Sequence, residues 1–344
     1  MSVSAVIDPA EADSARETHA LAFRIAFTTA IGFTLGYVLG WDFPFLPALF
    51  AAQLLTGSRS LSLRQAVGFA ALMTAGCVFS VLIAQIFVQT PAVLLLILAL
   101  LIFLAFLLLA RGQAVPVASI LLITTSVVPL VAVSSLDLAY GLVYTLIAGS
   151  ILAAVLVLLA YAVFPSRSDA SGGAKRIVEE SSPIAAALAN AAALVSLIIL
   201  FMFSGSPVSV IVIMTAITIL QQPASAGHGT AYAFIMGNVA GGVAATDAYL
   251  LVSVFPSAAV LLLVALYFRL VLGGRIAEGA AATPVYVVAL ATFLIVLGLG
   301  LTPLTDSGAI FISRVFNVVI AAAYTIGVAS VLRALFRASK PHQQ

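Results

Sequence analysis

The chain has 344 residues, of which 63% are hydrophobic and 8% charged, with a mean hydropathy of +1.25. A soluble domain keeps about a quarter of its residues charged to solvate its surface, so a soluble enzyme, a disordered chain and a nucleic-acid binder are excluded. The net charge of +2 implies no polyanionic partner, and the lone Cys77 permits neither an internal disulfide nor a multi-cysteine metal site.

Residues 1–19 are polar and acidic (Asp8, Glu11, Asp13, Glu17), without a basic leader or cleavage site. They read as a cytoplasmic tail, and the first apolar segment is expected to be retained. Apolar segments then follow at about 20–39, 43–57, 64–88, 91–110, 114–133 and 137–164. Residues 165–182, PSRSDASGGAKRIVEESS, form the only long polar stretch after the tail and read as a cytoplasmic linker. Beyond it the segments are 183–204, 206–220, 229–254, 256–273, 282–301 and 307–337, with 338–344 as a C-terminal tail. Runs such as PAVLLLILALLIFLAFLLLA (91–110) show no polar alternation, and about 20 residues at 1.5 Å each cross a roughly 30 Å hydrocarbon core. Lipid cannot satisfy an open strand edge, so these are helices rather than barrel strands. The fold class is an all-α polytopic membrane protein of about 12 transmembrane helices.

Basic residues set the orientation. Arg16, Arg59, Arg64, Arg111, Arg167, Lys175, Arg176, Arg269, Arg275, Arg333, Arg337 and Lys340 all fall in the tails, the linker or alternate turns. Asp42, Asp137 and Asp306 fall on the other side. An even span count with both termini cytoplasmic accounts for the whole pattern.

The two halves, 20–164 and 183–337, are related at an offset of 165, where Phe69, Ala75, Gly76 and Val78 match Phe234, Ala240, Gly241 and Val243. Prolines punctuate both alike: Pro44 and Pro207 open short segments, Pro116 and Pro284 open the fifth helix, and Asp137 and Asp306 precede the sixth. Six helices per half make the repeats parallel, about an axis along the membrane normal.

With Arg24 early in helix one, the short Pro-led PFLPALFAAQLLTGS (44–58), and a basic turn into a Gly-containing third helix (Arg64 to Gly76), the first half resembles the FUSC family (fusaric acid resistance and aromatic acid exporters). The second half repeats it with SPVSVIVIMTAITILQQP (206–223), GNVAGG (237–242) and RVFNVVIAAAYTIG (314–327). The resemblance covers nearly all of 20–337 and implies efflux of small organic, aromatic or anionic compounds across a bacterial inner membrane, with a periplasmic membrane-fusion protein as partner. The chain departs from many such exporters in having no room for a large cytoplasmic domain between or after its halves.

Paired short segments at matching places in two repeats point to a transport site. Gln53, Thr56 and Arg59 in one half, and Thr215, Thr218, Gln221 and Gln222 in the other, are the candidate substrate pathway. The alternative is ordinary helix ends at the cytoplasmic interface. Charges at membrane depth cost about 2.5–3.5 kcal/mol on insertion scales and so face protein or water. Asp247 and Arg314 lie at matching depth from the outer side and are expected to pair, as a structural bridge or as a proton-handling device. Arg24 is expected to snorkel to the cytoplasmic face. Asn238 and Asn317 are expected to bond between helices, and the glycines near 237–242 to allow close packing.

No P-loop, HExxH or GxSxG motif occurs, and the three histidines lack metal-ligand spacing, so no cofactor, metal or enzymatic activity is expected. The expected activity is proton-coupled secondary export, with a passive organic-anion channel or a membrane scaffold for a periplasmic partner as alternatives. A homodimer is compatible with either transport reading.

Overall fold

The computed structural model describes residues 9–57, 61–165, 183–204, 209–221, 227–279, 282–301, 323–324, 327–328 and 331. Eleven helices run through them: α1 Pro9–Val38, α2 Leu46–Gly57, α3 Leu63–Phe87, α4 Pro91–Ala110, α5 Val115–Ser134, α6 Leu136–Val163, α7 Pro183–Ser204, α8 Ser209–Leu220, α9 Gly227–Val254, α10 Ala258–Ala277 and α11 Thr283–Gly300. No strand occurs among the described residues. Eight of the helices are long and apolar enough to cross a membrane: α1 over Arg16–Val38, α3 to α6, α7 over Pro183–Met202, α9 over Ile235–Val254, and α10. The protein is therefore a multi-pass helical membrane protein. The predicted last segment, 307–337, lies almost wholly outside the described residues.

The helix starts follow local chemistry. Ser62 caps α3 in a capping box, its hydroxyl accepting from the Gln65 N–H while the Gln65 side chain accepts from the Ser62 N–H. Ser135 caps α6 and Ser257 caps α10 in the same hydroxyl-to-amide manner. Pro91 and Pro116 sit in the first turns of α4 and α5, where a missing N–H is harmless. Predicted and observed limits agree at both ends of α4 and α7 and within a few residues for most of the others.

Two limits differ. The first helix begins at Pro9, well before its apolar part, because the acidic stretch PAEADSARE suits the positive end of a helix. More consequentially, Gly273-Gly274-Arg275, expected as the turn closing the tenth segment, is helical, and α10 continues to Ala277. The chain turns instead at Gly279, whose φ of +64° is one that glycine adopts without strain. Gly273 serves packing: a Cβ there would lie 3.2 Å from Ile25 Cγ2 and 3.4 Å from the Ala22 carbonyl.

The helices pack into one apolar core with α5 near its centre, where Leu122 to Ala132 are all buried. Within the first half α1 packs on α2 and α6, α2 on α6, α3 on α5 and α6, and α4 on α5. Within the second, α9 packs closely on α11, α10 on α9 and α11, and α7 on α8. Contacts between the halves come in matched pairs: α1 on α10 and α7 on α4; α2 on α11 and α8 on α5; α1 on α11 and α7 on α5. Each pair interconverts when every helix is exchanged for the one six places along.

Individual residues repeat this. A Cβ at Gly76 of α3 would meet the Thr124 side chain of α5 at 3.0 Å, and a Cβ at Gly241 of α9 would meet Thr292 Cβ of α11 at 2.9 Å. Thr124 lies eight residues after Pro116, and Thr292 eight after Pro284.

Candidate functional site

Two arginines are enclosed within this core, and their surroundings differ. Arg24 on α1 is 1% exposed. Its Nε donates to the Phe164 carbonyl at 2.7 Å, at the C-terminal end of α6, its Nη1 reaches Glu17 at 3.4 Å, and its guanidinium lies 4.7 Å from the Tyr161 ring centroid. Phe23 stacks on Phe164 beside it at 5.8 Å. The charge is thus met by a carboxylate and by the negative end of a helix. The expected snorkelling is replaced by a clamp, because α6 ends where the Arg24 side chain reaches and supplies an acceptor before water does. Its role is to hold α1 against α6.

Arg269 on α10 has no such compensation. It is 0% exposed and lies eight residues before Ala277 and eleven after Ala258. That puts it about 12 Å and 16 Å along the axis from the two ends of its helix, near mid-span. Its Nη1 donates to the Thr29 carbonyl of α1 at 2.5 Å. Its guanidinium lies 4.7 Å from the centroid of Phe33 on α1 and 5.6 Å from that of Phe293 on α11. Phe268 stacks on Phe293 at 5.6 Å, and Phe33 and Phe293 are themselves fully buried. Nε and Nη2 have no hydrogen-bond partner among the described residues. Glu17 pairs with Arg24 and Glu278 with Arg275, and no carboxylate among the described residues lies within ion-pair distance of Arg269.

The local fold explains the placement. Contacts run from Arg269 to Thr29 and from Gly273 to Ile25, so α1 and α10 are antiparallel and pressed together where Gly273 lacks a side chain. That closeness carries Arg269 onto the α1 backbone, in the seam between the two halves. A carbonyl in a helix keeps a second lone pair, so Thr29 can accept from Arg269 without breaking α1. The sequence did contain a signal, an arginine in the apolar run VALYFRLVL (264–272). Reading Gly273-Gly274 as a helix end moved that arginine to a cytoplasmic turn and hid it.

A second buried polar contact joins α9 and α11: Thr292 donates to Asn238 Oδ1 at 2.9 Å. This is the interhelical bond expected of Asn238. Asn190 of α7 donates to the Leu220 carbonyl at 3.2 Å, satisfying the end of the short α8.

The predicted pathway residues are placed apart. Gln53 and Thr56 are exposed on α2, and the Thr56 hydroxyl donates to the Ala52 carbonyl of its own helix at 2.8 Å. Thr215 and Thr218 lie on α8, and Gln221 is half-buried at its end. Arg59 and Gln222 lie outside the described residues. α2 packs on α1, α6 and α11, whereas α8 packs on α5 and α7, so the two sets occupy different seams. Both helices are short, as expected, and at 12 residues each, or about 18 Å, they are shorter than the segments 43–57 and 206–220 read from the sequence. Asp247 is exposed on α9, and Arg314 lies outside the described residues. Among the described residues no cluster of three or more His, Cys, Asp or Glu side chains could hold a metal ion.

The fold and the buried arginines define a class, a polytopic helical membrane protein with a mid-span cation that no carboxylate among the described residues meets. Compared with known families, residues 21–160 match the model of a protein family of unknown function, DUF2955, over less than half of the chain. No curated protein and no solved structure matches.

Proposed function

We propose that this protein is a secondary transporter that exports small organic anions across a bacterial inner membrane, built from two parallel six-helix repeats with both termini cytoplasmic. The observation that carries the proposal is Arg269, a mid-span guanidinium with no carboxylate among the described residues beside it, set in the α1–α10 seam. An intramembrane charge that packing does not require marks a substrate or ion path. A site at the interface of two repeats is where alternating-access transporters keep theirs.

The repeat is supported by the matched contacts between halves, by the Gly76–Thr124 and Gly241–Thr292 packings, and by the limits of the family match, which fall just inside the first half. The resemblance to FUSC exporters supports aromatic or aliphatic acids as cargo and a membrane-fusion protein as partner. The complete burial of Arg269 favours a carrier over an open anion channel, because a conducting pore would keep its charged lining wet. Export is read as proton-driven, with Asp247 the carboxylate at membrane depth that could carry the proton.

The test uses purified protein in proteoliposomes. A pH gradient is imposed, and labelled aromatic and short organic acids are followed together with internal pH. Saturable acid movement with matched proton counterflow is expected. Movement that follows only the acid's electrochemical gradient would establish a channel instead, and no movement of any acid would refute the transport reading.

A further inference from the structure

We infer that the free edge of the Arg269 guanidinium is a carboxylate clamp closed inside the α1–α10 seam, and that anion binding and opening of that seam are one event. This rests on the transport reading and names the residue, the ligand chemistry and the moving contact within it.

A guanidinium presents five N–H donors in a rigid planar fork. In Arg269 one end is taken, since Nη1 donates to Thr29. The flat surroundings are taken as well, by Phe33 and Phe293. What remains is Nε and Nη2, both buried and both without a partner among the described residues. These two nitrogens share one side of the fork, and their N–H bonds run parallel. That spacing and direction suit the two oxygens of a carboxylate, which accepts both bonds at once.

The surroundings define the rest of the ligand. Arg24, the other buried arginine, gives its Nε to Phe164 and its Nη1 to Glu17, and although its Nη2 has no partner among the described residues its charge is met by the Glu17 carboxylate, so the clamp offers a single positive charge. The neighbouring walls are the rings of Phe33, Phe268 and Phe293. The ligand is therefore a singly charged organic acid with an apolar body. An uncharged amide cannot replace it, because one of its two positions is a donor facing a donor. Binding would also remove the cost of an unpaired buried charge, which gives the carboxylate more than its own two hydrogen bonds.

The clamp is sealed in this conformation, with Arg269 0% exposed. An anion reaches Nε and Nη2 only when α10 parts from α1. That motion can be tested directly, because a Cβ at Gly273 would lie 3.4 Å from Ile25 Cβ. Disulfide-linked Cβ atoms stand roughly 3.5–4.5 Å apart, so Ile25→Cys with Gly273→Cys, in a Cys77→Ala background, should form a bridge across the closed seam.

The experiment measures equilibrium binding of labelled benzoate to the purified full-length protein in detergent, with benzamide as competitor. The wild type should bind benzoate, and benzamide should not compete. Arg269→Met should weaken binding about tenfold or more through loss of a charged bidentate contact. Arg269→Lys, which keeps the charge but not the fork, should also weaken it. The oxidised double-cysteine protein should lose benzoate binding and recover it on reduction, which excludes misfolding as the cause. The inference is overturned by an absence of benzoate binding to the wild type, by a monodisperse Arg269 variant that binds as the wild type does, or by a locked seam that binds undiminished. Acid transport by Arg269→Met at the wild-type rate would overturn the clamp and leave the transport reading intact. Benzoate binding through Arg269 without transport of any acid would do the reverse.

Discussion

Substituting the helix-packing glycines one at a time gives a graded test of the packing, because their surroundings differ in a way that predicts an order. At Gly68 on α3 an added Cβ meets nothing within 4 Å. Replacing glycine by alanine in a helix interior gains up to about 1 kcal/mol of backbone entropy, so Gly68→Ala should stabilise slightly. At Gly76 the new methyl would stand 3.0 Å from Thr124 Oγ1 and 3.3 Å from its Cγ2. Threonine is stiff about χ1, so repacking offsets the gain and the net change should be close to zero. At Gly241 the methyl would collide with the Ala289 carbonyl of α11 and stand 2.9 Å from Thr292 Cβ. Backbone cannot step aside as a flexible side chain can. Overpacking of this kind costs about 1–3 kcal/mol. Pushing Thr292 away also weakens its bond to Asn238, a loss of about 1 kcal/mol. Gly241→Ala should therefore lose about 1–3 kcal/mol after the helix-propensity gain is subtracted. Cys77 supplies the assay, being the chain's one cysteine and fully buried, so a thiol-reactive dye reports unfolding during heating in detergent. Size-exclusion recovery after heating provides a readout independent of α3. The order should be Gly68→Ala highest, Gly76→Ala near wild type and Gly241→Ala lowest. A Gly241→Ala protein melting at or above wild type would refute the close α9–α11 packing.

Three further outcomes follow from the same geometry. Asn238→Leu should destabilise by about 1–3 kcal/mol by taking the acceptor from the buried Thr292 hydroxyl, and Thr292→Val by about 1 kcal/mol through loss of the same bond, whereas the double variant should lose less than the sum, read by the same melt. Arg24→Met should melt clearly below wild type because it unties α1 from the end of α6, while Glu17→Gln should change stability by less than about 1 kcal/mol, since Glu17 is one-third exposed. A cysteine placed at Gln113, in the turn after α4, should react with an impermeant maleimide only from the cytoplasmic face of oriented membranes, and one at Ser135 only from the opposite face; the reverse would overturn the orientation.

Most of the helical frame was readable because lipid makes hydropathy nearly sufficient: a run such as 91–110 can do little else than span. Short caps and prolines then set the ends, and α4 and α7 were read to the residue. What misled was glycine, which signals a turn in water but a close approach in a membrane helix. At Gly273 the second meaning applied, and the error concealed Arg269. Charge position was legible only as far as helix limits were. Arg24 was seen as an early basic residue, but its partner, the Phe164 carbonyl, is 140 positions away and belongs to the backbone, which no side-chain pattern encodes. The polar ends of α2 and α8 were conspicuous because amides and hydroxyls stand out in apolar sequence. Yet Thr56 bonds only to its own helix, a use that sequence cannot separate from ligand binding.

The symmetry of the frame also bears on why Arg269 is charged. Under the proposed repeat, the α1–α10 seam has its counterpart in the α7–α4 seam, and α4 carries no charged residue from Pro91 to Ala110. Counted from the start of each helix, Ile102 occupies on α4 the place of Arg269 on α10, and it is fully buried. The same type of seam is therefore built with an aliphatic residue on one side of the molecule and with a guanidinium on the other. Packing alone does not call for the charge. Burying it with no carboxylate among the described residues to meet it costs several kcal/mol after relaxation, against one hydrogen bond to Thr29 worth about 1.5–3 kcal/mol and cation–π contacts with Phe33 and Phe293 worth about 0.5–2 kcal/mol each. An unbranched apolar side chain of nearly the same length recovers most of that cost. Arg269→Met should thus melt at or above the wild-type temperature while losing affinity for benzoate, so that stability and binding move in opposite directions. A variant that melted far below wild type would make Arg269 a structural tie like Arg24, and the case for a charge retained for a ligand would fall with it.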